Sequence, residues 1–130
     1  MNRIIGSSII VLIVIGLIVF GGVYTQRYLD RTADQLAAQV EKIIEAAEQE
    51  KWQESRDAYL SFSENWDNVR KNWAMFIDHL EIDNIEMKLT RGRSYIEAKD
   101  ADNACAEFAD AIMLLEHIPE RERLTLYNIF

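Results

Sequence analysis

Two kinds of hydrophobic pattern divide the chain. From Ile4 to Tyr24 the residues IIGSSIIVLIVIGLIVFGGVY run without a charge, and as a helix rising about 1.5 Å per residue they cover roughly 30 Å, the hydrocarbon thickness of a bilayer. Beyond Tyr24 the apolar residues thin into stripes. Leu29, Ala33, Leu36, Val40, Ile43 and Ala47 recur at spacings of three and four, one face of a helix that continues directly from the apolar run. The phase resets near Glu50 and Lys51, after which Trp52, Tyr59, Trp66, Trp73 and Leu80 recur every seven residues, with Phe62, Val69 and Phe76 between them. This aromatic seam predicts a second helix packed antiparallel on the first, large side chains against Ala33, Ala37 and Ala47.

After Leu80 the apolar positions Ile82, Ile85, Leu89 and Ile96 fall on the opposite face of the same frame. With no Gly or Pro between Val23 and Arg91, the pattern predicts one helix over about 52–98, bent near Asp78 to Asn84. Lys99 to Asn103 read as a turn with Asp100 as N-cap. Ala101, Ala104, Cys105, Phe108, Ile112 and Leu115 form the buried face of a helix over about 101–117 that Pro119 ends. A short segment, 119–130, closes the chain. The expectation is therefore all-α: a stub (1–3), a transmembrane helix (4–24) and a helical domain (25–130) with helices at about 25–50, 52–98 and 101–117. A weak echo at an offset of 49 relates the turn at Glu50 to the turn at Lys99, and Tyr59 to Phe108. Helix-hairpin repeats of the tetratricopeptide kind have a period of about 34 and normally three or more units, so the echo does not place the chain among them.

Charge narrows the partners. All 22 acidic residues and 13 of the 14 basic ones follow Tyr24, which gives that part 13 − 22 = −9. Such a surface repels phosphate backbones, and the bases form no patch, so no nucleic-acid partner is expected. The expected partners are membrane lipid, through residues 4–24, and an integral membrane or envelope protein. A cleaved signal peptide is the rival reading of the apolar run, but the run is longer than a signal core and no A-x-A site follows. Lys/Arg counts on its two sides are nearly balanced. The short N-terminal stub favours a single-pass protein of the cell membrane with its C-terminal domain outside the cytoplasm.

Candidate chemistry is sparse. Cys105 is a lone thiol in a helical stretch and reads as a small buried hydrophobe. His79 and Asp83, one turn apart, could reach a common ion, but the pair occurs once, whereas helical metal sites repeat such pairs on several helices. No nucleophile elbow, phosphate loop or dinucleotide fingerprint is present. No catalytic residue and no cofactor is therefore assigned. Leu124, Leu126, Tyr127, Ile129 and Phe130 crowd the C-terminus. They either fold back over the groove between the second and third helices or form a hydrophobic docking peptide.

The stretch from Trp66 to Phe130, through Trp66, Trp73, the His79 to Ile85 segment, Leu115-Glu116-His117-Ile118-Pro119 and Asn128-Ile129-Phe130, resembles the domain of unknown function 4363 family. That family consists of short single-pass membrane proteins of Gram-positive spore formers. The resemblance implies an architecture and a cell-envelope setting, but no substrate and no catalytic residue. The functional expectation is a membrane-anchored, non-enzymatic helical accessory protein. A ligand-sensing domain acting through a partner membrane protein and, last, a metal-dependent enzyme are the alternatives.

Overall fold

A computed structural model of the chain describes residues 1–129, Ile129 by its backbone alone. It contains α1 (Asn2–Glu48), α2 (Trp52–Trp73), α3 (His79–Glu97) and α4 (Ala101–Ile129), with no strand among the described residues. α1 is unbroken for 47 residues because nothing after Gly22 interrupts it. Its first half stands clear of the bundle: the apolar window has a mean hydropathy of 2.9 and none of it is buried, so the helix is long and apolar enough to cross a membrane. Gly6, Gly16 and Gly21 have open space around them.

The second half of α1 buries the predicted stripe, Leu29, Ala33, Leu36, Val40, Ile43 and Ala47. α2 returns antiparallel along it, α3 runs outward again, and α4 returns between α1 and α3. The two distal turns are built alike. Glu50 and Lys99 both have φ of 56°. In the first turn the Glu50 amide donates to the Ala47 carbonyl and that of Lys51 to Ala46; in the second, Lys99 donates to Ile96 and Asp100 to Tyr95. These are paired Schellman closures with a charged residue where glycine is usual, and they satisfy the last carbonyls of α1 and α3. Asp100 then caps α4, accepting from the Asn103 amide at 3.2 Å.

The single bent helix expected over 52–98 is two helices. α2 stops at Trp73, a tight turn occupies 74–78, and Asp78 caps α3 by accepting from the Leu80 amide at 2.8 Å. The seam's change of side explains the break. Phe62, Trp66, Val69 and Trp73 on α2 and Ile82, Ile85, Leu89 and Ile96 on α3 all enter one core, which a continuous helix would have to split between opposite faces. Leu80 and Phe76, read as seam positions, are instead exposed at this turn.

The helix ending at Pro119 and the separate segment 119–130 are likewise corrected. α4 is one helix with Pro119 inside it. The ring costs one backbone hydrogen bond, but Ile118 and Pro119 are both buried, and Gln26 Nε2 donates to the Pro119 carbonyl at 2.9 Å. Packing on α1 therefore carries the helix through. The α2–α3 seam is bridged by Arg56–Glu97 at 3.3 Å, Arg70–Glu86 at 2.8 Å and Arg93 over the Tyr59 ring at 5.6 Å.

Candidate membrane-proximal surface

The bundle end nearest the apolar rod concentrates the irregular features of the molecule. On α1, Thr32 turns inward and is buried with Trp73. The indole Nε1 donates to Thr32 Oγ1 at 2.9 Å, and the Thr32 hydroxyl donates to the Tyr28 carbonyl at 2.7 Å, so a tryptophan with no exposed surface keeps its one polar atom satisfied. Asn72 Nδ2 donates to the Tyr28 hydroxyl at 2.9 Å, tying the end of α2 to the same turn of α1.

α4 is tied to α1 on the other side. Below the Gln26–Pro119 contact, Arg123 donates to Asp30 Oδ2 at 2.7 Å, and Arg121 pairs with Glu81 at the start of α3. The Gln26 amide also donates to Asp30 Oδ1 at 3.1 Å, while its own oxygen is buried without a partner. Glu122 lies in the cleft between α1, α4 and the α2–α3 turn, with Gly21, Gly22, Thr25, Leu29, Phe76 and Leu126 around it. Its carboxyl is held above the usual range, first by burial and then by the charge of Glu81, with Arg121 opposing.

His79 and Asp83 sit on the opening turns of α3, both exposed. Among the described residues no three His, Cys, Asp or Glu side chains are placed to hold a metal ion. His117 Nδ1 lies 3.7 Å from Glu120, one turn away. Cys105 is half-buried, with Sγ 3.8 Å from the Ile44 carbonyl. Desolvation, followed by Glu48 and Asp102, pushes its thiol upward, so it is protonated at neutral pH and a poor nucleophile.

Of the C-terminal residues, Leu124 and Tyr127 are 65% and 81% exposed and Leu126 is half-buried. The Ile129 side chain and Phe130 lie outside the described residues. As the continuation of α4, the segment does not fold back over the groove expected between the helices at about 52–98 and 101–117. It runs beside α1, where Leu126 and Tyr127 share a cleft with Val19, Gly22, Val23 and Gln26. Sequence reasoning missed Gln26, Asp30, Met75 and Glu122 at this end. Gln26 and Asp30 follow Tyr24 closely on α1, whereas the nearness of Met75 and Glu122 appears only once α2 and α4 are seen to return to this end.

The DUF4363 model, a domain of unknown function, matches residues 23–129. The chain belongs to that family. The match begins where the apolar run ends, so the DUF4363 domain is the bundle, including the distal half of α1, and the rod precedes it. No curated protein and no solved structure matches the chain.

Proposed function

We propose that this DUF4363 protein is a membrane-anchored, non-enzymatic accessory protein of the cell envelope, whose bundle docks on another membrane protein. The observation that carries the reading is α1. One helix supplies both an unburied apolar rod and a full face of the bundle core, so the domain is held rigidly at the end of its anchor and not on a flexible tether. The acidic, ion-paired outer surface suits a solvated domain, and the helical scaffold offers a stable face to a partner. We place the bundle outside the cytoplasm, with lipid around residues 4–24.

Two measurements test this in order. Alkaline-carbonate washing of native membranes should leave the chain in the pellet, and its release would remove the anchor reading. Photo-crosslinking in the same membranes should then give a discrete heavier species whose second component is a membrane protein; recovery of the uncrosslinked monomer alone would sink the accessory role. The unbroken α1 also favours a sensor, since a continuous rod transmits rotation or tilt from bundle to bilayer. A sensor would show ligand-dependent thermal stabilisation of the bundle, which a passive adaptor would lack.

A further inference from the structure

Beyond Tyr24, eight large apolar side chains are exposed among the described residues: Leu60, Met87 and Met113, and a second group comprising Met75, Phe76, Leu80, Leu124 and Tyr127. The five of the second group sit at one end of the bundle. Met75 and Phe76 belong to the α2–α3 turn, Leu80 to the first turn of α3, and Leu124 and Tyr127 to the last turns of α4, all at the end of the bundle nearest the rod. Phe76 and Leu126 share a cleft with Gly21 and Gly22, while Tyr127 shares another with Val19 and Val23.

This geometry constrains where the bilayer can lie. At about 1.5 Å per residue, Val19 to Gly22 lie roughly 3 to 7 Å inside the Tyr24 end of the apolar run. Phe76, Leu126 and Tyr127 line clefts with them, close to the depth of about 5–10 Å at which interfacial helices bury their apolar faces. Arg27 and Arg31 lie farther out, exposed on α1 about one and two turns beyond Tyr24, from where they can reach headgroups by snorkelling; Arg123 and Arg121 on α4 are paired with Asp30 and Glu81.

We propose that the base of the bundle is a second membrane contact. The α2–α3 turn, the first turn of α3 and the last turns of α4 insert Met75, Phe76, Leu80, Leu124 and Tyr127 into the interfacial layer of the leaflet in which the rod ends. The occupant of this surface is lipid, because the surface is continuous with the apolar rod and level with its last turns. The proposal rests on the reading of residues 4–24 as a membrane span. It makes the bundle sit down on the bilayer and leaves its lateral faces for a protein partner.

The test uses the full chain in a Cys105→Ser background, with single cysteines at Met75 or Leu124, at Val14 as a span reference and at Leu60 as a solvent reference. Each carries an environment-sensitive fluorophore and is reconstituted into phosphatidylcholine vesicles containing lipid with a nitroxide near the headgroup or at mid-chain. The expected result is at least twofold stronger quenching at Met75 and Leu124 than at Leu60 by the near-headgroup nitroxide, with Val14 quenched by the mid-chain one. Quenching at Leu60's level at either Met75 or Leu124, with Val14 still quenched, overturns the proposal and leaves the anchor intact. A blue-shifted but unquenched label at those sites overturns it in favour of a protein cover, such as a second copy. If Val14 is unquenched as well, the membrane span fails and the proposal with it. Leu80→Cys and Tyr127→Cys repeat both measurements at independent exposed positions.

Discussion

Gly92→Ala probes the packing of α3 on α4 with a single methyl group. Gly92 is buried in the interior of α3, where glycine is normally a liability: replacing it by alanine in a helix gains about 0.8 to 1 kcal/mol. Here an added Cβ would lie 2.7 Å from Phe108 Cζ and 2.8 Å from both Cε atoms, well inside contact distance. Phe108 cannot easily retreat. It has no exposed surface, and the Tyr59 ring lies 6.1 Å from its own, centroid to centroid. Overpacking costs about 1 to 3 kcal/mol, and a contact this short against a ring that cannot retreat falls in the upper half of that range, so the net effect is a destabilisation of about 1 to 2 kcal/mol. For a domain near 100 residues that lowers the melting temperature by roughly 4 to 16 °C. Thermal melting of the full chain in detergent, followed by circular dichroism, reads it. Phe108→Leu, which shortens the ring side chain, should make the Gly92→Ala penalty shrink or change sign, a coupling that a double-mutant cycle isolates. A Gly92→Ala chain that melts at or above the parent would refute the packing argument.

Thr32→Val keeps shape but strips the acceptor from Trp73 Nε1, and leaving that buried N–H unpaired should cost about 1 to 3 kcal/mol; Thr32→Ser, which retains the hydroxyl, should recover most of it in the same melt. Glu122 carries a raised pKa, so the folded chain holds its proton more tightly than the unfolded chain does. The carboxyl therefore favours folding below its unfolded pKa and loses that contribution as pH rises through its folded value. Glu122→Gln should accordingly raise the melting temperature at pH 7 and change it little below about pH 4, the region of an unperturbed glutamate; an equal gain at both would point to a cause other than ionisation. Cys105, with its thiol pushed upward, should be alkylated more slowly in the native chain than in urea at pH 8, and equal rates would contradict the burial that shifts it.

The helical class, the anchor-like run and the α1 stripe were legible because each rests on a period that one helix carries by itself. The same is true of Ile82, Ile85, Leu89 and Ile96, whose burial follows from spacing alone. The break at 74–78 was not legible as a break. It has no Gly or Pro, and what forces it is the need for Trp73 and Ile82 to meet in one core, a demand that exists only once α1 and α4 are in place. Pro119 misled for the complementary reason, since the local rule that proline ends helices was overridden by burial of Ile118 and Pro119 and by the Gln26 hydrogen bond. The apolar C-terminus was legible as a cluster but not in its placement: it continues α4 instead of folding back, and Leu126 and Tyr127 lie beside the top of the rod.

The echo at an offset of 49 has a structural counterpart that orders these observations. Ala33, Leu36, Val40, Ala47, Phe62, Trp66 and Val69 are buried, and so are Ile82, Ile85, Leu89, Ile96, Ala111, Leu115 and Ile118, each 49 positions later. Small and large exchange between the two hairpins: Ala33 and Ala47 on α1 become Ile82 and Ile96 on α3, while Phe62 and Trp66 on α2 become Ala111 and Leu115 on α4. Tyr59 and Phe108, equivalent by the same offset, pack against each other across the middle. By this correspondence Asp30–Trp73 matches His79–Glu122, and what lies outside it is residues 2–29 of α1, the 74–78 turn and residues 123–129 of α4. Every one of those additions sits at the rod end of the bundle. The correspondence also fails chemically there, since the buried Thr32–Trp73 hydrogen bond is matched by Glu81 and Glu122, two carboxylates served by Arg121. Two similar hairpins thus account for the solvated part of the domain, and the departures from that likeness collect where the rod emerges. In two tandem hairpins both chain ends and the linker fall at the same end of the bundle, so topology alone brings the rod, the 74–78 turn and the last turns of α4 together; the exchange of the Thr32–Trp73 pair for Glu81 and Glu122 is the departure that topology does not supply.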